Sequence, residues 1–165
     1  MILLEQEQSV YDVLEQLNIS FKKYEHVPVF TVEEIRNLDI TIPGGHTKNL
    51  FLRNRKGDKH FLVIVLEDKD VDLKRLSKLI ESTPLSFASS ERLNKYLGVY
   101  PGAVGPFGLI NDVTNHVQVV LDSDILNKDT INFHPNVNTA TVNLSVQDLR
   151  RYLDWKTNPV KNIKF

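Results

Sequence analysis

Three irregular segments of the 165-residue chain combine polar side chains with glycine or proline, and they are where we look for chemistry. The first, residues 43–49, carries a Gly-Gly pair followed by histidine, threonine and lysine. Gly44 and Gly45 permit a tight turn or a close approach to a ligand. Lys48 stands at the start of an expected strand, where its ammonium group either binds a phosphate as a compact charge or stays solvated.

The second segment, residues 100–112, contains the sequence Gly102-Ala-Val-Gly-Pro106. Pro106 has no amide hydrogen and favours an extended conformation for the residue before it. Backbone carbonyl groups in such a stretch can accept from a hydroxyl group, an ammonium group or a water molecule. The alternative is a connection that needs glycine and proline only in order to turn.

The third segment, residues 134–141, begins with a His-Pro pair and continues with short polar side chains. Asn138 and Thr139 can bond a ligand or cap the entrance of a strand. His134 precedes a proline and is expected to be extended. It either forms a structural hydrogen bond or polarises a substrate carbonyl group, if it faces the other two segments.

Composition excludes several classes of site. The chain has no cysteine, which excludes disulfides, a thiol nucleophile and a cysteine-based metal site. The five histidines include no i,i+4 pair, and there is no GxSxG, HExxH or Walker sequence. We therefore expect neither a metal nor a cofactor. The formal charge of -1 excludes a strongly cationic coat but leaves room for a local basic patch.

The longest apolar run, residues 61–66, is far too short to cross a bilayer. The N-terminus turns acidic at Glu5 and lacks the basic region of a signal peptide. We expect a cytoplasmic protein with neither a membrane nor DNA as a partner.

Apolar periodicity predicts amphipathic helices over residues 5–17 and 72–80, and a last helix that opens at Ser145. A further helix is expected after an N-cap at Ser90 and before a stop at Gly98. The tail from about residue 157 is expected to fray.

Residues 61–66 are apolar at successive positions, which is typical of a central strand covered on both faces. A hairpin turn at residues 55–58 joins this strand to the one that starts near Lys48. Helices and strands mix without a regular βαβ alternation. We therefore predict an α/β protein of α+β type. It would form a single compact domain over residues 1–165, with a curled, mostly antiparallel mixed sheet surrounded by helices.

The three segments together resemble the YbaK/ProX family of aminoacyl-tRNA deacylases, which includes the editing domain inserted in many prolyl-tRNA synthetases. The matching sequences are Gly45-His-Thr-Lys-Asn-Leu-Phe-Leu-Arg53, Gly98-Val-Tyr-Pro-Gly-Ala-Val-Gly-Pro-Phe-Gly-Leu-Ile-Asn-Asp112 and Phe133-His-Pro-Asn-Val-Asn-Thr-Ala-Thr141. The resemblance covers residues 5–155. The Lys48-Asn49 pair is most similar to the free-standing, alanine-clearing branch of the family.

The resemblance implies that the chain hydrolyses the ester joining alanine to proline tRNA, in trans to prolyl-tRNA synthetase. An aminoacyl ester is already activated, so a positioned water and a stabilised oxyanion can suffice. A neighbouring ribose hydroxyl group of the tRNA would assist. Two alternatives remain: a deacylase for another small amino acid, cysteine or serine, and a tRNA-binding module without turnover.

The resemblance also implies roles for particular residues. Lys48 would anchor the phosphate of the terminal adenosine, and the backbone carbonyl of Gly102 would hold the substrate's amino or ribose hydroxyl group. His134 completes the expected catalytic set. The residues expected to contact the substrate are Phe30, Thr47, Asn49, Pro106, Phe107, Asn138 and Thr139. A basic hairpin either contacts tRNA phosphates or only solubilises a turn, and its residues are Arg53, Arg55, Lys56 and Lys59.

Overall fold

The structure is a computed structural model that describes residues 4–29, 31–37 and 41–165. The α-helices of this part are α1 (Glu5–Gln16), α2 (Val32–Arg36), α3 (Leu73–Leu79), α4 (Ser90–Leu97) and α5 (Val146–Lys156). The strands are β1 (Phe21–Glu25), β2 (Thr47–Arg53), β3 (His60–Leu66), β4 (Ser86–Phe87), β5 (Gln118–Asp122), β6 (Thr130–Phe133), β7 (Ala140–Ser145) and β8 (Val160–Ile163). Two 3₁₀ helices, Pro106–Asn111 and Ser123–Asn127, complete the set.

Local side chains fix several of the helix ends. Asp72 and Ser145 cap α3 and α5 by accepting from free backbone amides of the first turn. The N-cap of α4 is Ser89, one residue before the predicted Ser90, because the Ser89 side chain accepts from the amide of Arg92. Gly98 ends α4 in the left-handed conformation, as predicted.

The larger sheet has the strand order β4-β2-β3-β5-β8. β3 is central, as its apolar run predicts: it pairs antiparallel with β2 and parallel with β5. Alternate side chains of β3 enter two separate cores. Leu62 and Ile64 belong to a large core with α1, α4 and α5, whereas Phe61 and Val63 belong to a smaller one under α3.

A second sheet, of order β1-β7-β6, is antiparallel throughout. The predicted α+β class is confirmed, but the single curled sheet is wrong, because the described strands form two sheets. They meet at Gly45, whose amide donates to the carbonyl of Thr130 at 3.0 Å and whose carbonyl accepts from Asn132 at 3.0 Å. A Cβ on Gly45 would lie 2.9 Å from Cδ1 of Ile131, so a larger residue here would require the Ile131 side chain to shift.

The C-terminal segment was expected to fray, but it forms a strand. β8 pairs parallel with β5 over four residues and forms the edge of the larger sheet. Ile163 is buried, and the Asn158 side chain donates to Asp112 and to the carbonyl of Val117, both at 2.8 Å. The strand forms because the turn at Thr157, with φ of 66°, directs the chain back along β5. No helix of the described residues is long and apolar enough to span a membrane.

Candidate active site

A small pocket opens where the first residues of β2 meet the ends of β6 and β7. The volume inside it that is open to a water-sized group is about 20 Å³. The described residues that line it are His46, Thr47, Asn49, Asn132, Phe133, His134 and Thr141. The structure therefore brings together the first and third segments singled out in the sequence, although residues 47 and 134 are far apart along the chain.

Two asparagines hold the loop that leads into β2. The amide nitrogen of Asn132 donates to the carbonyls of Pro43 at 2.8 Å and Gly45 at 3.1 Å. Asn143 donates to the same Pro43 carbonyl at 3.0 Å and to Asn132 Oδ1 at 3.0 Å. Both asparagines are buried, so these bonds satisfy groups that water cannot reach. The loop backbone, and with it Thr47, is fixed against β6.

Thr47 and Asn49 project from the same face of β2 and form a short hydrogen-bonded chain. The Thr47 hydroxyl donates to the carbonyl of Asn132 at 3.0 Å, and the Asn49 amide donates to Thr47 Oγ1 at 3.4 Å. The Asn49 Oδ1 atom is buried and has no partner among the described residues. An unpaired buried acceptor is costly, and a ligand that donates to it would remove the penalty.

His134 is half-buried on the pocket wall. Its Nδ1 lies 2.9 Å from the carbonyl of Ala140, and a carbonyl only accepts, so Nδ1 carries the proton. Burial lowers the pKa of His134 below its usual value, and His26 nearby lowers it further, against the opposing effect of the Ala140 carbonyl. The neutral ring thus offers Nε2 as an acceptor. It has no second proton with which to polarise a carbonyl group, so that expectation fails for this protonation state.

His26 lies behind the pocket and is bonded to Thr141. Its Nδ1 is 2.9 Å from the carbonyl of Val27, and its Nε2 is 2.9 Å from Thr141 Oγ1. The ring centroids of His26 and His134 are 6.1 Å apart. The sequence alone singled out neither His26 nor Thr141, because a lone histidine just after a strand gives no catalytic signal until its partner is known.

The loop of residues 102–106 lies against the third segment. A Cβ built on Gly105 would be 3.7 Å from the carbonyl oxygen of His134, so the two backbones are close neighbours. Gly102 has φ of 99°, a conformation that side chains disfavour. Tyr100 ties the start of the loop to Asn138 through two hydrogen bonds of 2.9 and 3.0 Å.

Pro106 and Phe107 lie behind the pocket rather than on its wall. The Phe107 ring is fully buried and packs edge-on against Phe133 at 6.1 Å and Tyr152 at 5.3 Å. The Pro106 carbonyl accepts from the Tyr152 hydroxyl at 2.7 Å. In this structure Phe107 supports Phe133, which does line the pocket, and both Pro106 and Phe107 are buried. Phe30, the other expected aromatic wall, lies outside the described residues.

Asn138 and Thr139 differ in their exposure to solvent. Asn138 is buried, and its Nδ2 has no partner among the described residues. The Thr139 side chain is exposed, while its backbone carbonyl accepts from the amide of His26 at 3.0 Å. Neither residue is among those that line the pocket.

Lys48 is half-exposed at the start of β2, opposite Val65 in the register with β3. Successive side chains of a strand point to opposite faces, so Lys48 projects away from the face that carries Thr47 and Asn49. Its ammonium group is therefore not part of the pocket wall.

The basic hairpin lies at the other end of β2, six residues or about 20 Å along the strand from Thr47. Arg55, Lys56 and Lys59 are exposed. Arg53 is half-buried and donates to the carbonyl of Arg55 at 3.3 Å. A substrate that filled the pocket and also touched this hairpin would have to extend along β2.

No group of three or more His, Asp or Glu side chains in the described residues is arranged to hold a metal ion. Sequence reasoning missed four of the residues that line the pocket: His46, Asn132, Phe133 and Thr141. Asn132 could have been found as a polar residue between two large apolar ones, Ile131 and Phe133.

Comparison with known proteins defines the class. The sequence from residue 26 to residue 152 matches the family described as the aminoacyl-tRNA editing domain. A solved structure of a proposed trans-editing enzyme for prolyl-tRNA synthetase has the same fold, with a TM-score of 0.71 over 99% of both chains at 19% identity. The protein is an aminoacyl-tRNA deacylase.

Two curated relatives narrow this further. The chain is 44% identical over 161 residues to the prolyl-tRNA editing protein ProX of Acetoanaerobium sticklandii, covering 98% of both chains. It is 36% identical over 145 residues to the prolyl-tRNA synthetase associated domain-containing protein 1 of Danio rerio, covering 87% of this chain and 78% of that one. The chain thus belongs to the aminoacyl-tRNA editing family of the YbaK/ProX type, which confirms the resemblance.

Proposed function

We propose that this protein removes alanine from mischarged proline tRNA, acting in trans to prolyl-tRNA synthetase. The name of the relative from Acetoanaerobium sticklandii supports a role in prolyl-tRNA editing. The size of the pocket supports alanine as the amino acid. Its interior of about 20 Å³ holds about one water-sized group, such as the ammonium group of alanine, and is smaller than the pyrrolidine ring that carries the amine of proline.

Editing by size explains why a second site is useful. A synthetase pocket built for proline discriminates against a smaller side chain by only about 1–3 kcal/mol per missing methylene. A second pocket that excludes the proline ring removes the error without destroying the correct product. Phe133, held from behind by Phe107, is placed to limit the depth of this pocket.

The reaction needs no protein nucleophile. Water attacks the ester carbonyl carbon, and the bond from that carbon to the ribose oxygen breaks. The amino acid and the tRNA hydroxyl group are the products. His134 Nε2 and Asn49 Oδ1 offer acceptors inside the pocket, while the Gly105 backbone lies beside the His134 carbonyl group. Lys48, outside the pocket, would anchor the terminal phosphate, as the family resemblance implies.

Ester loss from four charged forms of the same tRNA tests the proposal. Proline tRNA is charged with alanine, cysteine, serine or proline, and each is incubated with the protein. We expect loss of alanine and retention of proline. Preferential loss of serine or cysteine would instead assign the enzyme to that amino acid, and tRNA binding without loss of any ester would indicate a module without turnover.

The variant Lys48→Ala tests the phosphate anchor. We expect kcat/KM for the alanyl ester to fall about 100-fold, because a misplaced ester loses the geometry of attack. Lys22→Ala is the matched control, since Lys22 is also a strand lysine and is exposed on the other sheet. Equal activity of the two variants would remove the anchor role from Lys48.

A further inference from the structure

Most of the polar side chains of the pocket donate protons to backbone carbonyl groups or to one another, which leaves acceptors facing its interior. The two histidines on its wall show this first. His134 donates from Nδ1 to the carbonyl of Ala140, and His46 donates from Nε2 to the carbonyl of Ile42, both at 2.9 Å. A carbonyl oxygen cannot donate, so these bonds fix the tautomer of each neutral ring. The nitrogen that remains on each ring is an acceptor.

The two pocket residues from β2, Thr47 and Asn49, also donate to neighbouring groups. Thr47 gives its hydroxyl proton to the carbonyl of Asn132 and can only accept from Asn49. This fixes the orientation of the Asn49 amide, with Nδ2 toward Thr47 and Oδ1 on the other side. Asn49 Oδ1 is the buried acceptor that lacks a partner among the described residues. The Asn132 amide nitrogen is already committed to two backbone carbonyls.

His26 determines the direction of the hydrogen bond that the Thr141 hydroxyl group forms. Its Nδ1 lies 2.9 Å from the carbonyl of Val27, which only accepts, so Nδ1 carries a proton and, in the tautomer with that proton alone, Nε2 accepts. The bond of 2.9 Å to Thr141 therefore runs from the Thr141 hydroxyl to His26. Thr141 is left with lone pairs, and no proton, to offer to the pocket.

We propose that this acceptor-lined pocket selects the positively charged α-amino group of the aminoacyl ester, and that His26 is a positioning residue that keeps Thr141 an acceptor. An ammonium group has three donors and no lone pair, which matches Asn49 Oδ1, Thr141 Oγ1 and His134 Nε2. A hydroxyl or acylated amine at the same carbon would bring lone pairs against these acceptors. The inference rests on the proposed deacylase function and deepens it.

The first experiment compares three esters of the same tRNA. They carry alanine, N-acetylalanine or lactic acid, which replaces the ammonium group by a hydroxyl group. Each enzymatic rate is divided by the spontaneous hydrolysis rate of the same ester. We expect the normalised kcat/KM of the lactyl and N-acetylalanyl esters to be at least about 100-fold below that of the alanyl ester, because unpaired polar groups in such a site are costly.

The outcomes separate this inference from the function on which it rests. Equal normalised rates for the alanyl and lactyl esters would overturn the ammonium selection and leave the deacylase function standing. Hydrolysis of no ester of proline tRNA, whichever amino acid it carries, would overturn the proposed function and this inference with it.

A second experiment tests His26 through selectivity rather than activity. His26→Leu frees the Thr141 hydroxyl to donate into the pocket, so the alanyl-to-lactyl ratio should fall about tenfold, equivalent to the loss of one hydrogen bond. His26→Gln supplies an acceptor oxygen and should retain most of the ratio. A purely structural role would lower both rates alike and leave the ratio unchanged in both variants, which would overturn the positioning role. Melting temperatures establish that each variant is folded.

Discussion

The Tyr100 hydroxyl group binds Asn138 from two sides. It donates to Asn138 Oδ1 at 2.9 Å and accepts from the backbone amide of Asn138 at 3.0 Å, across 38 residues of sequence. Asn138 is buried, so water cannot replace either bond. This single hydroxyl fastens the loop of residues 102–106 to the third segment, and through it to the pocket.

Removing that hydroxyl should therefore lower both stability and activity. Tyr100→Phe leaves the backbone amide and the side-chain Oδ1 of Asn138 unpaired. This should lower the free energy of unfolding by about 1–3 kcal/mol. Denaturant unfolding and alanyl ester loss measure the two effects. Tyr24→Phe is the control, since the structure gives the Tyr24 hydroxyl no partner among the described residues. Identical behaviour of both variants would show that the loop is held by other contacts.

Gly102 and Gly105 should respond differently to alanine. Gly102 has φ of 99°, where a Cβ costs about 1–2 kcal/mol. Gly105 has φ of -178°, an extended conformation, and its added Cβ would meet the His134 carbonyl at an ordinary contact distance of 3.7 Å. We expect Gly102→Ala to reduce the free energy of unfolding and kcat, and Gly105→Ala to leave the free energy of unfolding nearly unchanged. Equal destabilisation of both would contradict the assigned conformations.

His60 should make the protein less stable in mild acid. Its Nε2 accepts from Arg92 at 3.0 Å and its Nδ1 lies 2.9 Å from His116. Burial, together with the charges of His116 and Arg92, lowers the pKa of His60 to about 4. The unfolded chain, with an ordinary histidine pKa near 6.5, binds the proton more tightly. Stability is therefore complete above about pH 6.5 and is lost as the pH falls toward 4.

The expected loss between pH 7.5 and 5.5 is about 1 kcal/mol from His60 alone. Urea unfolding at the two pH values measures it. His60→Phe keeps an aromatic ring next to Phe51 and Tyr96 and should reduce the pH dependence by about that amount. His134, whose pKa is also lowered, contributes with the same sign and remains in the variant. An unchanged pH dependence in His60→Phe would show that His60 is protonated equally in both states.

The basic hairpin should govern affinity for tRNA rather than the chemical step. Replacing Arg55, Lys56 and Lys59 by alanine removes three exposed cations. Each phosphate that these cations no longer neutralise should reduce the slope of log K against log salt by about 0.9. We expect KM to rise and kcat to hold. A triple variant of Lys22, Lys74 and Lys78 removes the same charge elsewhere and serves as the control. Equal salt slopes in the two variants would assign the hairpin to solubility alone.

Local patterns in the sequence determined much of this protein. The uninterrupted apolar run of residues 61–66 required a strand buried on both faces, and β3 is that strand. The helix signals at Gly98 and Ser145 depend on neighbouring residues only, and both act as predicted. The three short motifs, taken in their order along the chain, carried the family resemblance, which the family match confirms.

Tertiary structure decided which of the predicted residues share a site. Thr47 and His134 meet only because Gly45 lets two sheets approach, and no local pattern encodes that approach. Lys48 and Asn49 are adjacent in sequence but face opposite sides of β2. The direction of each proton in the pocket likewise depends on partners such as Val27 and Ala140, which contribute only a backbone carbonyl. A backbone carbonyl is the same in every residue, so the sequence carries no record of it until the chain is folded.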